Sequence, residues 1–450
     1  MPQAKKIFVI ISFITILVPA LFLLTSCSER ESDPLEQGRV QIDYWEFWTG
    51  FEYNAMKDIV NKFNNSQDRI FVNIIGVSDV QRKLLIATAG NDPPDVCHLQ
   101  DWMAVQLVER RVLEELKPLM SIININSEDY IEIYWQLCRY KGRLYGLPTS
   151  PTTLALHWNK TIFEKAGLDP EKPPQSIEEL DELAEKMTTK RDRQNFETLG
   201  FIQTNPGWWN FCWVFFFGGS WWDGQETVTA NCPQNLRAFQ WLASYADKYG
   251  PRALQNFTGG FGTFSWANDG FFADRLAMVF QGVWLNNFIN QYAPDLQWGA
   301  AAFPSEGGRL KDVSIAECSI QVIPRNAKHP KEAAEFMSFV QRPENLKYLA
   351  LKHRKFMPLK IANDMDYSKH PNKEIELFLR LSQSPNVRII PRIPIWQEYT
   401  SEIDNTFQQV WLQKKTPKEA LDILQRRMED KWNDYQRIDA IIQKAEERKK

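Results

Sequence analysis

The sequence predicts an α/β fold of two domains, on three observations. The chain has 450 residues, more than one core of ordinary size holds. Its first hundred residues alternate strand-like and helix-like runs in the order β-α-β-α-β, the pattern of a parallel sheet covered by helices. A proline-punctuated stretch, YGLPTSPTT (145–153), then opens a second region with the same pattern.

The first strand begins at Val40 and runs into YWEFWTG (44–50). In EYNAMKDIVNKFNN (52–65), Met56, Ile59, Val60 and Phe63 fall at i, i+3, i+4 and i+7, one face of a helix. IFVNIIGV (70–77) is rich in β-formers, and DVQRKLLIATAG (79–90) is helical and stops at a glycine. Pro93-Pro94 punctuates, and DVCHL follows as a short buried strand. In the second region LALHWNK reads as a strand, and Ser176-Ile177-Glu178-Glu179 is a capping box that starts a helix. NPGWWNFCWVFFFGGSWWDG (205–224) is the most aromatic stretch, with Phe215, Phe216 and Phe217 assigned to core. WGAAAFP (298–304) is a strand, PKEAAEFMSFVQ (330–341) an amphipathic helix, and Thr416-Pro417-Lys418-Glu419 a second capping box.

Near the start, Lys5 and Lys6 precede an apolar run over residues 7–24, and Leu24-Thr25-Ser26-Cys27 resembles the bacterial lipobox. The expectation is a lipoprotein signal peptide over 1–26, lipid (palmitate) on Cys27 and a polar tether over 27–39. The body is then extracytoplasmic and held at the cell membrane. An uncleaved membrane anchor is the alternative. With Cys27 acylated, five cysteines remain, an odd number without C-x-x-C spacing, so no disulfide framework is expected and the state of Cys212 and Cys232 stays open.

Charge is nearly balanced, 53 basic residues against 56 acidic, which argues against a nucleic-acid partner. No Gly-rich phosphate loop ending in Lys-Ser/Thr is present, so ATP is not expected to bind this chain. His98, His157, His329, His353 and His370 are scattered without ligand spacing; no metal and no cofactor are expected. The unusual count is 17 Trp. Each indole needs a partner for its N–H, a costly way to fill a core, so some rings are expected to face a ligand.

In order along the chain, several segments resemble the extracellular solute-binding proteins of ABC importers, the class that contains maltose-binding protein. They are the lipobox, the strand entering YWEFWTG, KLLIATAGNDPPDV (83–96), YGLPTSPTTLALHWNKTIFEKAGLDPEKPPQSIEEL (145–180), FADRLAMVFQGVW (272–284), PRNAKHPKEAAEFMSFV (324–340) and TPKEALDILQRRM (416–428). No piece is specific; their order is. The chain departs from the family in carrying Asp274-Arg275 where Gly-Lys is usual. It also has Thr400 six residues after Pro394, where maltose-binding proteins stack a tryptophan; Trp396 lies four residues earlier. The resemblance implies a two-lobed periplasmic-binding-protein fold of type II with a ligand cleft between the lobes. Residues 40–152 plus 304–357 would form the N-terminal lobe and 153–303 plus 358–450 the C-terminal lobe, with crossings near Thr153, Phe303 and Pro358. It implies a monomeric protein, not an enzyme, that captures a carbohydrate by hinge closure and delivers it to membrane permease subunits.

A sugar has polar edges and a flat face of C–H bonds, so its site needs aromatic platforms together with carboxylates or amides. In an open α/β sheet such a site lies beyond the carboxyl ends of the strands. Trp45 or Trp48 is therefore expected as a platform with Glu46 as a hydroxyl acceptor; the alternative is Trp45 in the core and Glu46 solvated. Asp101 and Trp102 follow the DVCHL strand, and Asp101 is read as a hydroxyl ligand or else a helix cap. Trp284 occupies the family's G-x-W position and is assigned a stacking role by that resemblance. Trp209, Trp222, Trp266, Glu317 and Trp396 complete the candidates. Two other readings stay open. A secreted glycoside hydrolase would need two carboxylates, for which Glu46, Asp101 and Glu317 are available. A binder of another polar solute, such as a glycerol phosphate, is the second.

Overall fold

The computed structural model describes residues 38–447 apart from Arg193 and Thr263, with side chains to residue 445. The expected signal peptide, Cys27 and all but the last two residues of the tether lie outside the described residues. Among the described residues, no helix is long and apolar enough to cross a membrane.

The chain opens with β1 (Val40–Glu46), α1 (Gly50–Ser66), β2 (Ile70–Gly76), α2 (Val80–Ala89), β3 (Val96–Gln100) and α3 (Asp101–Glu109). Later come the long strand β4 (Leu147–Asn159), then β5 (Met278–Gly282), α4 (Leu285–Tyr292), β6 (Trp298–Ala301), β7 (Ser314–Val322), α5 (Ile375–Ser382) and β8 (Val387–Arg388). Helices α6 (Trp396–Trp411) and α7 (Pro417–Glu447) end the described chain. The strands form one sheet in the order β6-β4-β7-β3-β1-β2, with β5 beside β4 and β8 beside β7. β1 runs parallel to both β2 and β3, whereas β7 pairs antiparallel with β3 and β4.

Every residue of β4 is buried, as expected of a strand covered on both faces. Its first half pairs with β7 and its second half with β5 and β6. Pro148 and Pro151 sit inside it, where neither can donate to the ladder. The register shifts between them: Ser319 faces Ser150 and Ile320 faces Pro148, leaving Thr149 as an extra residue without a partner.

Two hydrophobic cores lie along this sheet. The first includes Tyr44, Val72, Leu99, Ile320, Phe336 and Phe378; the second includes Phe201, Trp213, Phe216, Phe280, Phe303 and Leu424. Phe215, Phe216 and Phe217 are in the second core, at the end of a buried 3₁₀ helix, Asn210–Phe217. Setting aside Ala155 and Val283, which pack in the first core from within the second-core stretch, the chain changes core three times. Leu154 packs in the second core and Ala155 in the first, because alternate residues of β4 point to opposite faces. The return is between Ile315 and Ala316 instead of at Phe303, since Phe303, Val313 and Ile315 all still pack in the second core. The last change lies between Leu381 and Ile390 instead of at Pro358, because Leu359, Ala362 and all of α5 up to Leu381 bury their apolar side chains in the first. Burial decides which core a segment joins.

Candidate functional site

A cavity of about 650 Å³ opens between the two cores, beyond the carboxyl ends of β1 and β3. From the first lobe it is lined by Phe47, Trp48, Phe51, Glu52, Gln100, Trp102, Glu317 and Lys355, among others. The second lobe supplies Trp208, Trp209, Phe264, Trp284, Phe288 and Trp396, and Gln397, Thr400 and Ser401 from the start of α6. Aromatic side chains thus face one another across the lobes.

The floor is set by β1. Its residues alternate, so Ile42, Tyr44 and Glu46 point to one face and Trp45 to the other. Glu46 is fully buried. Its carboxylate accepts hydrogen bonds from the Tyr44 hydroxyl and, at 3.0 Å, the Trp48 backbone N–H, and lies 2.9 Å from His98 Nδ1. His98 Nε2 is 2.7 Å from Thr149 Oγ1, and that hydroxyl donates its single proton to the Ser319 carbonyl at 2.8 Å. Thr149 can therefore only accept from His98 Nε2, as the Glu46 carboxylate can only accept from Nδ1. Burial first, then the Glu46 carboxylate, hold the Tyr44 phenol well above its usual pKa, so it stays a donor. Glu46 is thus not the hydroxyl acceptor the sequence suggested; all its lone pairs serve the protein. Its bond to Trp48 N–H turns the chain so that Trp48 lies between the edges of His98 and His353, at centroid distances of 4.4 and 4.6 Å. Burial pushes the His353 imidazole down to about 4, which keeps it neutral there. Gly50, at φ 58°, ends the turn in the left-handed region that favours glycine and lets α1 start with Phe51 and Glu52 at the cavity.

Trp45 packs against the first core and does not line the cavity. Asp101 does not either. As the first residue of α3 it is buried, accepts from the Cys318 N–H at 2.8 Å and faces Arg392 at 3.8 Å. Burial raises its carboxyl to about 6, against the pull of Arg392. Its neighbour Trp102 lines the cavity, as do Trp48, Trp209, Trp284, Glu317 and Trp396. Trp222 does not: it packs edge to face on Trp432 in a separate cavity. Trp266, 65% exposed, stands on a loop outside the cavity.

Trp284 follows β5 and its ring folds back over Gly282, where an added Cβ would meet ring atoms at 2.2 Å. The glycine of the G-x-W motif is the space the indole occupies. Trp284 lies 5.6 Å from Trp209, and its own Nε1 is buried with no partner. Trp209 also donates to Glu317 from the opposite lobe. Burial, then Asp101, raise the Glu317 carboxyl from 4.5 to about 7, with the Trp209 indole opposing.

Sequence reasoning missed Phe47, Phe51, Glu52, Phe264, Phe288 and Lys355. Lys355 is 5% exposed, pairs with Glu52 at 3.0 Å and stands 5.5 Å from the Trp48 ring centre. Burial alone would raise Glu52, but the Lys355 ammonium outweighs it and the net shift is downward. Spacing within one element cannot reveal a pair that joins residues 52 and 355. Phe288, one turn beyond Trp284 on α4, was readable from its helical offset.

This arrangement, two lobes around an aromatic-walled cavity, defines a solute-binding protein. The profile of the bacterial extracellular solute-binding protein family matches residues 58–371, and the chain belongs to that family. It is 23% identical over 415 residues to a sn-glycerol-3-phosphate-binding periplasmic protein of Pectobacterium atrosepticum, covering 86% of this chain and 90% of that one. It superposes on the structure of CpMnBP1 with mannotriose bound at a TM-score of 0.77 and 27% identity, over 86% of this chain and 99% of that one. UgpB from Mycobacterium tuberculosis in complex with glycerophosphocholine shares the fold at a TM-score of 0.71 and 21% identity, over 88% and 99%.

Two predictions follow from the geometry of the floor and the wall. Glu46→Ala leaves a buried imidazole and two donors without their acceptor and is expected to cost about 3–5 kcal/mol in urea unfolding. Glu317 is protonated more readily in the folded state than unfolded, so its stabilising contribution is present below pH 4.5 and lost as pH rises through about 7. Ligand-free protein should therefore melt lower at pH 7.5 than at pH 5, and Glu317→Gln should flatten that slope in thermal scans.

Proposed function

We propose that the cleft binds a neutral carbohydrate, an oligosaccharide, and that the protein delivers it unmodified to the permease subunits of an ABC importer. The observation that carries this reading is the charge of the lining. Its sole cation among the described residues, Lys355, is held by Glu52 at 3.0 Å, and its other charged group is Glu317. A phosphate would have to displace Glu52 from Lys355 and meet a second carboxylate, whereas hydroxyls can accept and donate along the glutamines, Ser401, Thr400 and Glu317. Apolar faces on both lobes suit the C–H faces of a sugar. The mannotriose-bound neighbour supports the carbohydrate reading over the glycerol phosphate named for the Pectobacterium relative.

Against hydrolysis stands the placement of the three carboxylates. Glu46 is spent on Tyr44, Trp48 and His98, and Asp101 on Cys318 and Arg392; Glu317 alone of the three lines the cavity. Capture then requires only that the lobes close on the sugar about the segments where the chain changes core. On this reading the chain acts as a monomer, anchored by lipid on Cys27 at the outer face of the membrane or in the periplasm.

The test is thermal shift of soluble residues 28–450 with mannotriose, other neutral oligosaccharides and sn-glycerol-3-phosphate, each mixture chromatographed afterwards. A neutral oligosaccharide at one hundred times its dissociation constant should stabilise by about 2.7 kcal/mol and be recovered intact. A shift with glycerol phosphate alone, or a cleaved sugar, overturns the proposal. Trp284→Ala should weaken sugar binding by about 1–3 kcal/mol in titration calorimetry with the fold retained. Gly282→Ala should act in the same direction by pushing the indole off its seat.

A further inference from the structure

Helix α7 outruns the second core. Its first half packs there through Leu421, Leu424 and Met428. Its second half reaches the first lobe, where the Tyr435 hydroxyl donates to Glu109 at 2.6 Å and Lys141 pairs with the same carboxylate at 2.7 Å. Between α7 and the segment returning from β8 lies a second cavity of about 560 Å³, lined by both lobes. Only Ile393 and Pro394 are shared with the lining of the main cleft, so this segment is the wall between the two spaces.

The second cavity has an aromatic side and an unsatisfied donor. Trp222 and Trp432 meet edge to face at 4.8 Å, and Trp432 and Tyr435 stack at 5.4 Å and 20°. Trp432 Nε1 is buried with no hydrogen-bond partner. A buried donor left unpaired costs about 1–3 kcal/mol, which an acceptor oxygen from a ligand would recover. The cavity also carries Gln225 and Asp439, groups that receive hydroxyl protons. Its three cations are all bonded within the protein: Lys141 to Glu109, Arg392 to Asp101 and, through Nε, the Arg139 carbonyl, and Arg139 through Nη2 to the Gly142 carbonyl at 3.2 Å. Aromatic faces, an orphaned donor and acceptors, with each lining cation already bonded within the protein, suit a polyhydroxylated, uncharged molecule.

We propose that this cavity is a second binding site for a neutral saccharide, distinct from the interlobe cleft and centred on Trp432. The assignment rests on the residues of this cavity and not on the ligand of the cleft. It is tested on residues 28–450 carrying Trp284→Ala to weaken the cleft. Saturation-transfer NMR is recorded with mannotriose, maltotriose and cellotriose as probes. At least one trisaccharide should still receive transfer, and adding Trp432→Ala should weaken that binding about tenfold. Should the truncation unfold the chain, Trp432→Phe keeps the ring, removes the N–H and should weaken binding in the same direction. Absence of transfer to all three probes, or residual binding that no Trp432 variant changes, overturns the proposal. Failure of the cleft reading looks different: sugar affinity of the otherwise unaltered chain would then be indifferent to Trp284→Ala, whatever happens at Trp432.

Discussion

The contact on which the binding face depends is the buried bond between Glu46 and His98. Around it, four strands are tied at the ends that meet the cleft: Glu46 closes β1, His98 lies in β3, Thr149 bulges from β4 and Ser319 belongs to β7. A buried carboxylate is tolerated only when its lone pairs are filled, and here Tyr44, Trp48 and His98 fill them. The same bonds fix the loop that aims Phe47 and Trp48 at the cavity. A group that never touches solvent therefore sets the shape of a surface that does.

The cleft itself is asymmetric in chemistry. The second lobe offers rings: Trp208 against Phe264, Phe264 against Phe288, and Trp209 against Trp284, with centroid distances from 4.9 to 5.6 Å. The first lobe offers polar groups beneath its rings, with Glu52 and Lys355 satisfying each other and Glu317 receiving the Trp209 indole across the gap. Closing the lobes is thus a meeting of apolar faces over groups already paired, which avoids leaving buried charges unmatched. Arg392 and Asp101 place a further cross-lobe pair beside the cleft but outside its lining.

Much of this was legible in the sequence. The periodicity of residues 52–65, the aromatic run at 205–224 and the capping boxes at Ser176 and Thr416 describe elements that the structure contains, with Ser176 accepting from Glu179 N–H and Thr416 likewise. The G-x-W stretch led to Trp284, and strand ends led to Trp48 and Trp102. What failed was direction. Glu46 and Trp45 are neighbours whose roles were assigned by residue type, whereas period-two alternation sends Glu46 inward with Tyr44 and Trp45 to the other face. Asp101 was read as a ligand or a helix cap; the Cys318 N–H of the neighbouring strand β7, remote in sequence, claimed it first. Trp222 shows that an aromatic-rich stretch fixes composition and not orientation, since Trp221 beside it is fully buried.

The three changes of core have a consequence for how the polypeptide comes into being. The first lobe collects residues from Ile42 to Leu381, and the second interrupts it from Leu154 to Ile315 before resuming at Ile390. Neither lobe is a contiguous stretch, so neither can be complete until most of the chain has left the ribosome. Closing loops of that length before their contacts form makes folding slow. For a family that works outside the cell, lateness is useful: a polypeptide that cannot finish either half early stays threadable for longer.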